Sequence, residues 1–178
     1  MSTKYQLLVK DPWEFWRQLA HLSDPVPVVF ATQTQTCKEL AAQVVRYLSL
    51  GGVKAQTISV SDFKQDQCQA PLLVYLTCTF FMGDHPKPAS NFVCELREKK
   101  WKVLKGKYFA VFGIGSMKYK LFCKASAEVD KLLEQNGGIR IMAASQVDWN
   151  APQGYEPQFQ EWLKDLLDNC GIQKIDDS

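Results

Sequence analysis

Residues Val26 to Gly52 read VPVVFATQTQTCKELAAQVVRYLSLGG. Val26 to Ala31 is an unbroken apolar run, the pattern of a strand buried on both faces. From Thr36 the spacing changes, and Leu40, Ala41, Val44, Val45 and Leu48 fall on one side of a helix that Gly51-Gly52 stops. Between strand and helix lie Thr32, Gln33, Thr34, Gln35 and Thr36. Free backbone N–H groups and the dipole at a helix start favour an anion, and the threonine hydroxyls add neutral donors. The motif GxxxxGK is absent, so this is not a P-loop. A plain Thr-rich helix cap accounts for the same residues about equally well.

The alternation continues outward from this unit. Ala55 to Val60 alternates like a strand, and Pro71 to Thr77 (PLLVYLT) is a third. Pro88 to Lys100 reads as a helix with Phe92 and Leu96 inward, and Tyr108 to Phe112 is another buried strand. Ser126 to Gln135 is helical up to Gly137-Gly138, Ile139 to Ala143 is the last strand, and Glu156 to Asn169 closes the chain as a helix. Upstream, Asp11 caps a helix with Pro12 in its first turn, and Trp13, Phe15, Trp16, Leu19 and Leu22 form its apolar pattern before Asp24-Pro25. Strands and helices in alternation argue for a doubly wound α/β fold: five parallel strands in the order 2-1-3-4-5, with helices on both faces. The expected organisation is a helical extension over 1–25, one domain over 26–170 and a tail over 171–178.

In such a sheet, ligands sit at the carboxyl ends of the strands. Three segments follow strand ends: the Thr-rich loop, TFFMGDHP from Thr79 to Pro86, and GIGSMKY from Gly113 to Tyr119. A hydroxyl-rich helix start can hold a phosphate, and two aromatics from the other two segments can sandwich a flat ring. Two core aromatics are the ordinary alternative for that pair.

These segments resemble those of the flavodoxin-like domains in the diflavin reductase family, which includes cytochrome P450 reductase, nitric oxide synthase, methionine synthase reductase and sulfite reductase. The first loop is similar to the family's phosphate loop, with Gln35 in the place of its glycine. The second keeps Thr79, Gly83, Asp84 and Pro86; Phe81 replaces a glycine and Met82 an often acidic residue. The third, YFAVFGIGSMKYKLFCKASAEVDKLLEQNGGIRI, keeps Gly113, Gly115, Tyr119, Phe122, Asp130, Lys131 and Leu133, with Ser116 for an Asn or Asp. The resemblance runs from about Val28 to Leu167 and implies a flavodoxin-like fold that binds FMN. It implies that Thr32, Gln33, Thr34, Gln35 and Thr36 hold the phosphate. It places Thr79, Phe80, Phe81, Gly83, Asp84, Gly113, Gly115, Ser116, Tyr119 and Phe122 about the ring and ribityl chain, with Asp148 near the flavin and Trp149 beside it. The implied function is electron relay from an FAD/NADPH reductase module, in cis or in trans, to a redox acceptor protein.

Composition is that of an ordinary globular chain: 178 residues, 46% hydrophobic and 22% charged. A net charge of +2 does not point to nucleic acid. Neither a signal peptide nor an apolar run of the roughly 20 residues needed to span a membrane is present, so a cytosolic, monomeric domain is expected. Six cysteines lack CxxC spacing and read as reduced, mostly buried thiols; His21 and His85 are far apart, which leaves a metal site without support. The pI near 8.2 is unusual for the family. Lys118, Lys120 and Lys124 beside the proposed flavin edge, with Lys87 and His85 on another loop, suggest an acidic docking partner.

Two other functions compete. Gln35, Phe81, Met82 and Ser116 depart from the cofactor pattern, which would suit an interaction module that no longer binds FMN. An FMN-dependent quinone reductase would need a nicotinamide site, and no second nucleotide motif is evident. A phosphoacceptor receiver domain is excluded, because Thr32 and Thr77 stand where its carboxylates belong.

Overall fold

The computed structural model describes residues 9–173. The first eight residues of the expected extension, and 174–178 of the expected tail, lie outside the described residues. The chain runs α1 (Pro12–Ala20), β1 (Val26–Ala31), α2 (Thr36–Leu50), β2 (Ala55–Ser59), β3 (Leu72–Cys78), α3 (Ser90–Arg97), β4 (Tyr108–Gly115), α4 (Lys124–Gln135), β5 (Ile139–Arg140), β6 (Ser145–Asp148) and α5 (Glu156–Asn169). Every strand pairing is parallel, and the sheet order is β2-β1-β3-β4-β5, with β6 also on β4. The doubly wound order expected from the sequence is therefore the one observed.

The central strands are buried on both faces, which is why their sequences are continuously apolar. Alternate residues feed two cores. Val28, Val74, Leu76, Ala110, Phe112 and Ile114 pack with residues of α1, α2 and α5. Val29, Leu73, Tyr75, Phe109 and Val111 pack with residues of α3 and α4. In α1, Asp11 accepts the Glu14 N–H at 3.0 Å as N-cap. Phe15 and Leu19 join the first core, and the Trp16 indole donates to the Gly51 carbonyl at 2.8 Å.

Several boundaries differ from expectation. The helix α1 ends at Ala20 rather than running past Leu22, and Trp13 lies exposed, stacked on Trp16 at 5.0 Å. A 3-10 turn over Lys87–Ala89 precedes α3, which stops at Arg97 because Lys99 turns left-handed at φ 55°. The last strand is two strands. Phe109 pairs with Arg140 and Phe112 with Ser145, so three steps along β4 match five along the partner. The excess is taken up at 141–144, where Ile141 and Met142 turn into the core. Tyr108 to Phe112 was too short for β4: the ladder continues through Gly113, Ile114 and Gly115, because β6 supplies partners as far as Asp148.

Candidate functional site

The strand order reverses between β1 and β3, and the loops leaving them part there, as they do at the ligand sites of doubly wound folds. An open cleft of about 210 Å³ lies at this point, lined by Thr34, Thr36, Cys37, Cys78, Thr79, Phe80, Ile114, Gly115, Ser116 and Trp149.

The first loop forms the polar end. Thr32 Oγ1 accepts the Thr34 N–H at 3.0 Å and lies 3.2 Å from the Thr34 hydroxyl, which curls the loop. The bond at the start of α2 runs from the Glu39 N–H to the Gln35 carbonyl at 3.0 Å. The amides of Thr36, Cys37 and Lys38, one turn ahead of it, have no intrahelical acceptor. Gln35 sits at φ −78°, ψ −17°, in the right-handed region, so a side chain costs nothing there. Gln33 is exposed and does not line the cleft.

The second loop is a tight turn in which the Phe80 and Asp84 backbones bridge, each N–H donating to the other carbonyl at 3.0 Å. Phe80 enters the cleft wall; Phe81, at φ +24°, projects into solvent and meets Tyr119 edge-on, with ring centroids 5.9 Å apart. Gly83 (φ +84°) is buried, and a Cβ there would lie 2.7 Å from Lys124 Cδ and 3.0 Å from Leu121 Cβ, so the second and third loops are packed together. Asp84 is exposed. The Thr79 hydroxyl accepts the Ala125 N–H at 3.1 Å, capping α4, whose own N-cap Cys123 is left-handed (φ 52°) and makes no cap bond. His85 Nε2 stands 2.9 Å from Glu128 of α4, and Arg97 of α3 approaches the same carboxylate at 2.6 Å. Burial pushes the Glu128 carboxyl up, but these two hydrogen bonds outweigh it and hold the group below the ordinary carboxylate range.

The third segment is strand up to Gly115, and both glycines serve close packing. A Cβ on Gly113 would lie 2.0 Å from Ser126 Oγ, and one on Gly115 would lie 2.8 Å from the Cys123 nitrogen and 3.2 Å from the Phe122 ring. Gly113 and Phe122 lie behind the cleft rather than in its lining. Asp148 does not line it either. Its carboxylate accepts the Asn150 N–H at 3.1 Å and the Met117 N–H at 3.2 Å, bonds that hold it below its ordinary range. Asn150 in turn donates to Ser116 Oγ at 2.7 Å. This network ties the β4 and β6 ends together and sets Trp149 in the wall, stacked on Tyr155 at 4.9 Å.

Of the residues expected at the site, Thr34, Thr36, Thr79, Phe80, Gly115 and Ser116 meet in the cleft. Thr32, Gln35, Gly83 and Asp148 shape the segments that form it. Tyr119 meets Phe81 edge-on and is outside the cleft lining, in which the aromatics are Phe80 and Trp149. Cys37, Cys78, Ile114 and Asn150 were missed. The two cysteines had a readable signal, since they flank the quoted motifs at Thr36 and Thr79. The apolar walls beside free amides and hydroxyls fit a ligand with a flat apolar body and an anionic end.

Comparison with known proteins agrees with this geometry. The sequence model of the flavodoxin family, described as Flavodoxin, matches residues 28–162. The chain belongs to the flavodoxin family. Among curated relatives of this flavodoxin domain, the NADPH sulfite reductase flavoprotein alpha-component of Buchnera aphidicola is 28% identical over 147 residues, which is 82% of this chain and 24% of that protein. That of Sodalis glossinidius is 32% identical over 152 residues, 85% of this chain and 24% of that protein. The chain thus spans about a quarter of the length of these relatives. A cysteine-to-serine mutant of the flavodoxin from Pseudomonas aeruginosa superposes with a TM-score of 0.70 at 19% identity, covering 83% of this chain and 99% of that one. A short-chain flavodoxin associated with a bacterial microcompartment gives 0.69 at 21%, with the same coverage. Among the described residues, no helix is long and apolar enough to cross a membrane, and no group of three or more His, Cys, Asp or Glu could hold a metal ion.

Proposed function

We propose that this flavodoxin domain binds FMN and relays electrons between a reductase and an acceptor protein. The observation that carries this reading is the meeting, where the strand order reverses, of an amide- and hydroxyl-lined helix start with a cleft walled by Phe80 and Trp149. Thr34, Thr36 and the first amides of α2 would hold the phosphate, and Phe80, Ile114, Gly115 and Trp149 would face the ring system. When bound, the flavin supplies the redox chemistry; the protein orients it and tunes its potential. Curated relatives are flavoprotein components of NADPH sulfite reductase, which supports an FAD/NADPH reductase module as electron donor.

Lys87, Lys118, Lys120 and Lys124 are all exposed on the segments that follow β3 and β4, and Phe81, Met82 and Met117 on the same segments, with Trp149 of the cleft wall, are at least half exposed. Exposed apolar side chains and lysines on these segments suit an acceptor with an acidic, apolar-centred face. Electron transfer to such a partner slows as salt is raised; a rate that ignores ionic strength removes this docking mode.

The first test is titration of the purified protein with FMN, followed by quenching of flavin fluorescence. Saturable quenching is expected. Thr34→Val and Thr36→Val should each weaken FMN about tenfold, the scale of one hydrogen bond to a charged group, and leave riboflavin, which lacks the phosphate, unaffected. A colourless protein that leaves FMN fluorescence unchanged overturns the reading and leaves a flavodoxin-fold interaction module.

A further inference from the structure

The end of the sheet away from the cleft carries the basic excess of the chain. The connection from α3 to β4, Lys99 to Lys107, reads KKWKVLKGK. It holds five of the 21 basic residues and none of the 19 acidic ones, so with a net charge of +2 the rest of the chain is net negative. Lys99, Lys100, Lys102 and Lys105 are exposed, while buried Trp101 and Leu104 pin the segment to the core. Lys107 Nζ donates to the Gln69 and Ala70 carbonyls at 2.8 and 3.1 Å. We propose that this end docks on an anionic membrane surface, with the lysines on lipid headgroups and Trp13, Leu50 and Ile139 entering the headgroup layer.

Topology gathers these residues. All strand pairings are parallel, so every strand starts at this end, where α2, α3 and α4 also finish. Ile139 opens β5 and donates its N–H to the Lys107 carbonyl at 2.7 Å. Leu50 closes α2 and lines one hollow with Trp13 and Trp16 of α1. The helix α1 is tied to the start of β4 by the Phe15 ring, 4.8 Å from that of Tyr108. Trp13 is 60% exposed, Leu50 50% and Ile139 45%, so apolar surface is available beside the charge.

The acidic groups here are largely occupied. Glu95 accepts the Trp101 indole N–H at 2.9 Å, Glu98 pairs with Lys100, and Glu134 pairs with Arg140. On the 3-10 turn over Gln65–Gln67, exposed Asp66 is offset by exposed Lys64. Lysine is depleted in protein–protein interfaces, and the segment has no arginine, the residue suited to bidentate recognition of a defined phosphate or carboxylate. Lysines in a cluster, with exposed tryptophan and aliphatic anchors, instead match a surface that lies on anionic lipid without spanning it. The eight residues of β4 put the cleft roughly 25 Å from the lysines, so docking leaves it open to a redox partner.

The test is sedimentation of the full chain with vesicles of phosphatidylcholine alone or mixed with phosphatidylserine. Binding is expected on the mixed vesicles only, and it should weaken as salt is raised. The combined variant Lys99→Gln, Lys102→Gln, Lys105→Gln should lose about a hundredfold in affinity, roughly fivefold per lysine. Trp13→Ala should weaken binding several-fold without changing charge. Lys118→Gln, Lys120→Gln, Lys124→Gln together remove the same charge from the segment after β4 and should leave vesicle binding in place. All these side chains are exposed, so thermal melts should match the parent. Equal or absent binding on the two vesicle types overturns the proposal, as does a loss confined to the variant after β4. A complex with an oligonucleotide in place of vesicle binding overturns it in favour of nucleic acid. No readout uses flavin, so a failure here is distinct from a failure of the FMN titration.

Discussion

The loop after β1 and the loop after β3 each place a side chain where the motif that the sequence resembles has glycine, and the backbone receives the two differently. Gln35 occupies right-handed space at φ −78°, already the conformation of the helix it precedes. Phe81 sits at φ +24°, in a turn held by hydrogen bonds between Phe80, Gly83 and Asp84, a region that costs an L-residue about 1–2 kcal/mol. A lost glycine is thus harmless or strained according to its φ, which the substitution itself does not reveal. The strain at Phe81 comes with a gain, since its ring packs on Tyr119 at the cleft rim.

The harshest contrast lies at a glycine that kept its identity. Gly113→Ala should lower stability by about 3 kcal/mol, read as a fall in the urea midpoint, because its Cβ would lie 2.0 Å from Ser126 Oγ and 2.3 Å from Ser126 Cβ. The double variant with Ser126→Gly should recover part of the loss; strict additivity would place the clash elsewhere.

A smaller effect separates the two loops by their anchors. Glu128→Ala removes the carboxylate that ties the second loop to α3 and α4 and should cost about 1–2 kcal/mol. The folded pKa of Glu128 is depressed, so its contribution is present above the unfolded value and is lost as pH falls through the lower folded value. Acid titration of stability should therefore show less loss in the variant than in the parent below pH 4.5, the ordinary value of the group. Parallel acid curves would contradict this.

The comparison is sharpest when one substitution is made at both loops. Phe81→Gly should raise stability by up to about 1 kcal/mol, as relief of the positive φ offsets the lost ring contact. Gln35→Gly should do the opposite, lowering it by about 0.5 kcal/mol through added freedom of the unfolded chain. Thermal melts of the two variants that shift in the same direction would break the argument from φ.

Much of the fold was legible because the periods were clean. Thr36 to Leu50 and Glu156 to Asn169 are helices over the spans their apolar spacing indicates, and β1 has the limits of its apolar run. Ile139 to Ala143 was misread because its apolar residues suit a strand and a core insertion equally; only pairing with β4 breaks it at Arg140. In the site, the Thr and Gly positions were legible from motif spacing. The contact of Tyr119 with Phe81, and the place of Trp149 in the cleft wall, were not, because they depend on how the loops pack and on the bonds from Asn150 and Met117 to Asp148.

The layered α/β fold and the three segments that meet at its strand ends follow from the order of residues alone. Strand burial and helix amphipathicity are written in residue type and spacing, and a parallel sheet with helices on both faces is the arrangement that satisfies both. Tertiary structure alone decided what those segments do at close range: that Gln35 is unstrained and Phe81 is not, that Gly113 exists for Ser126, and that Cys37 and Cys78 share one cleft. These outcomes depend on backbone angles and on distances between residues far apart in the chain. Such quantities exist only once the strands have paired and the loops have been pressed against one another.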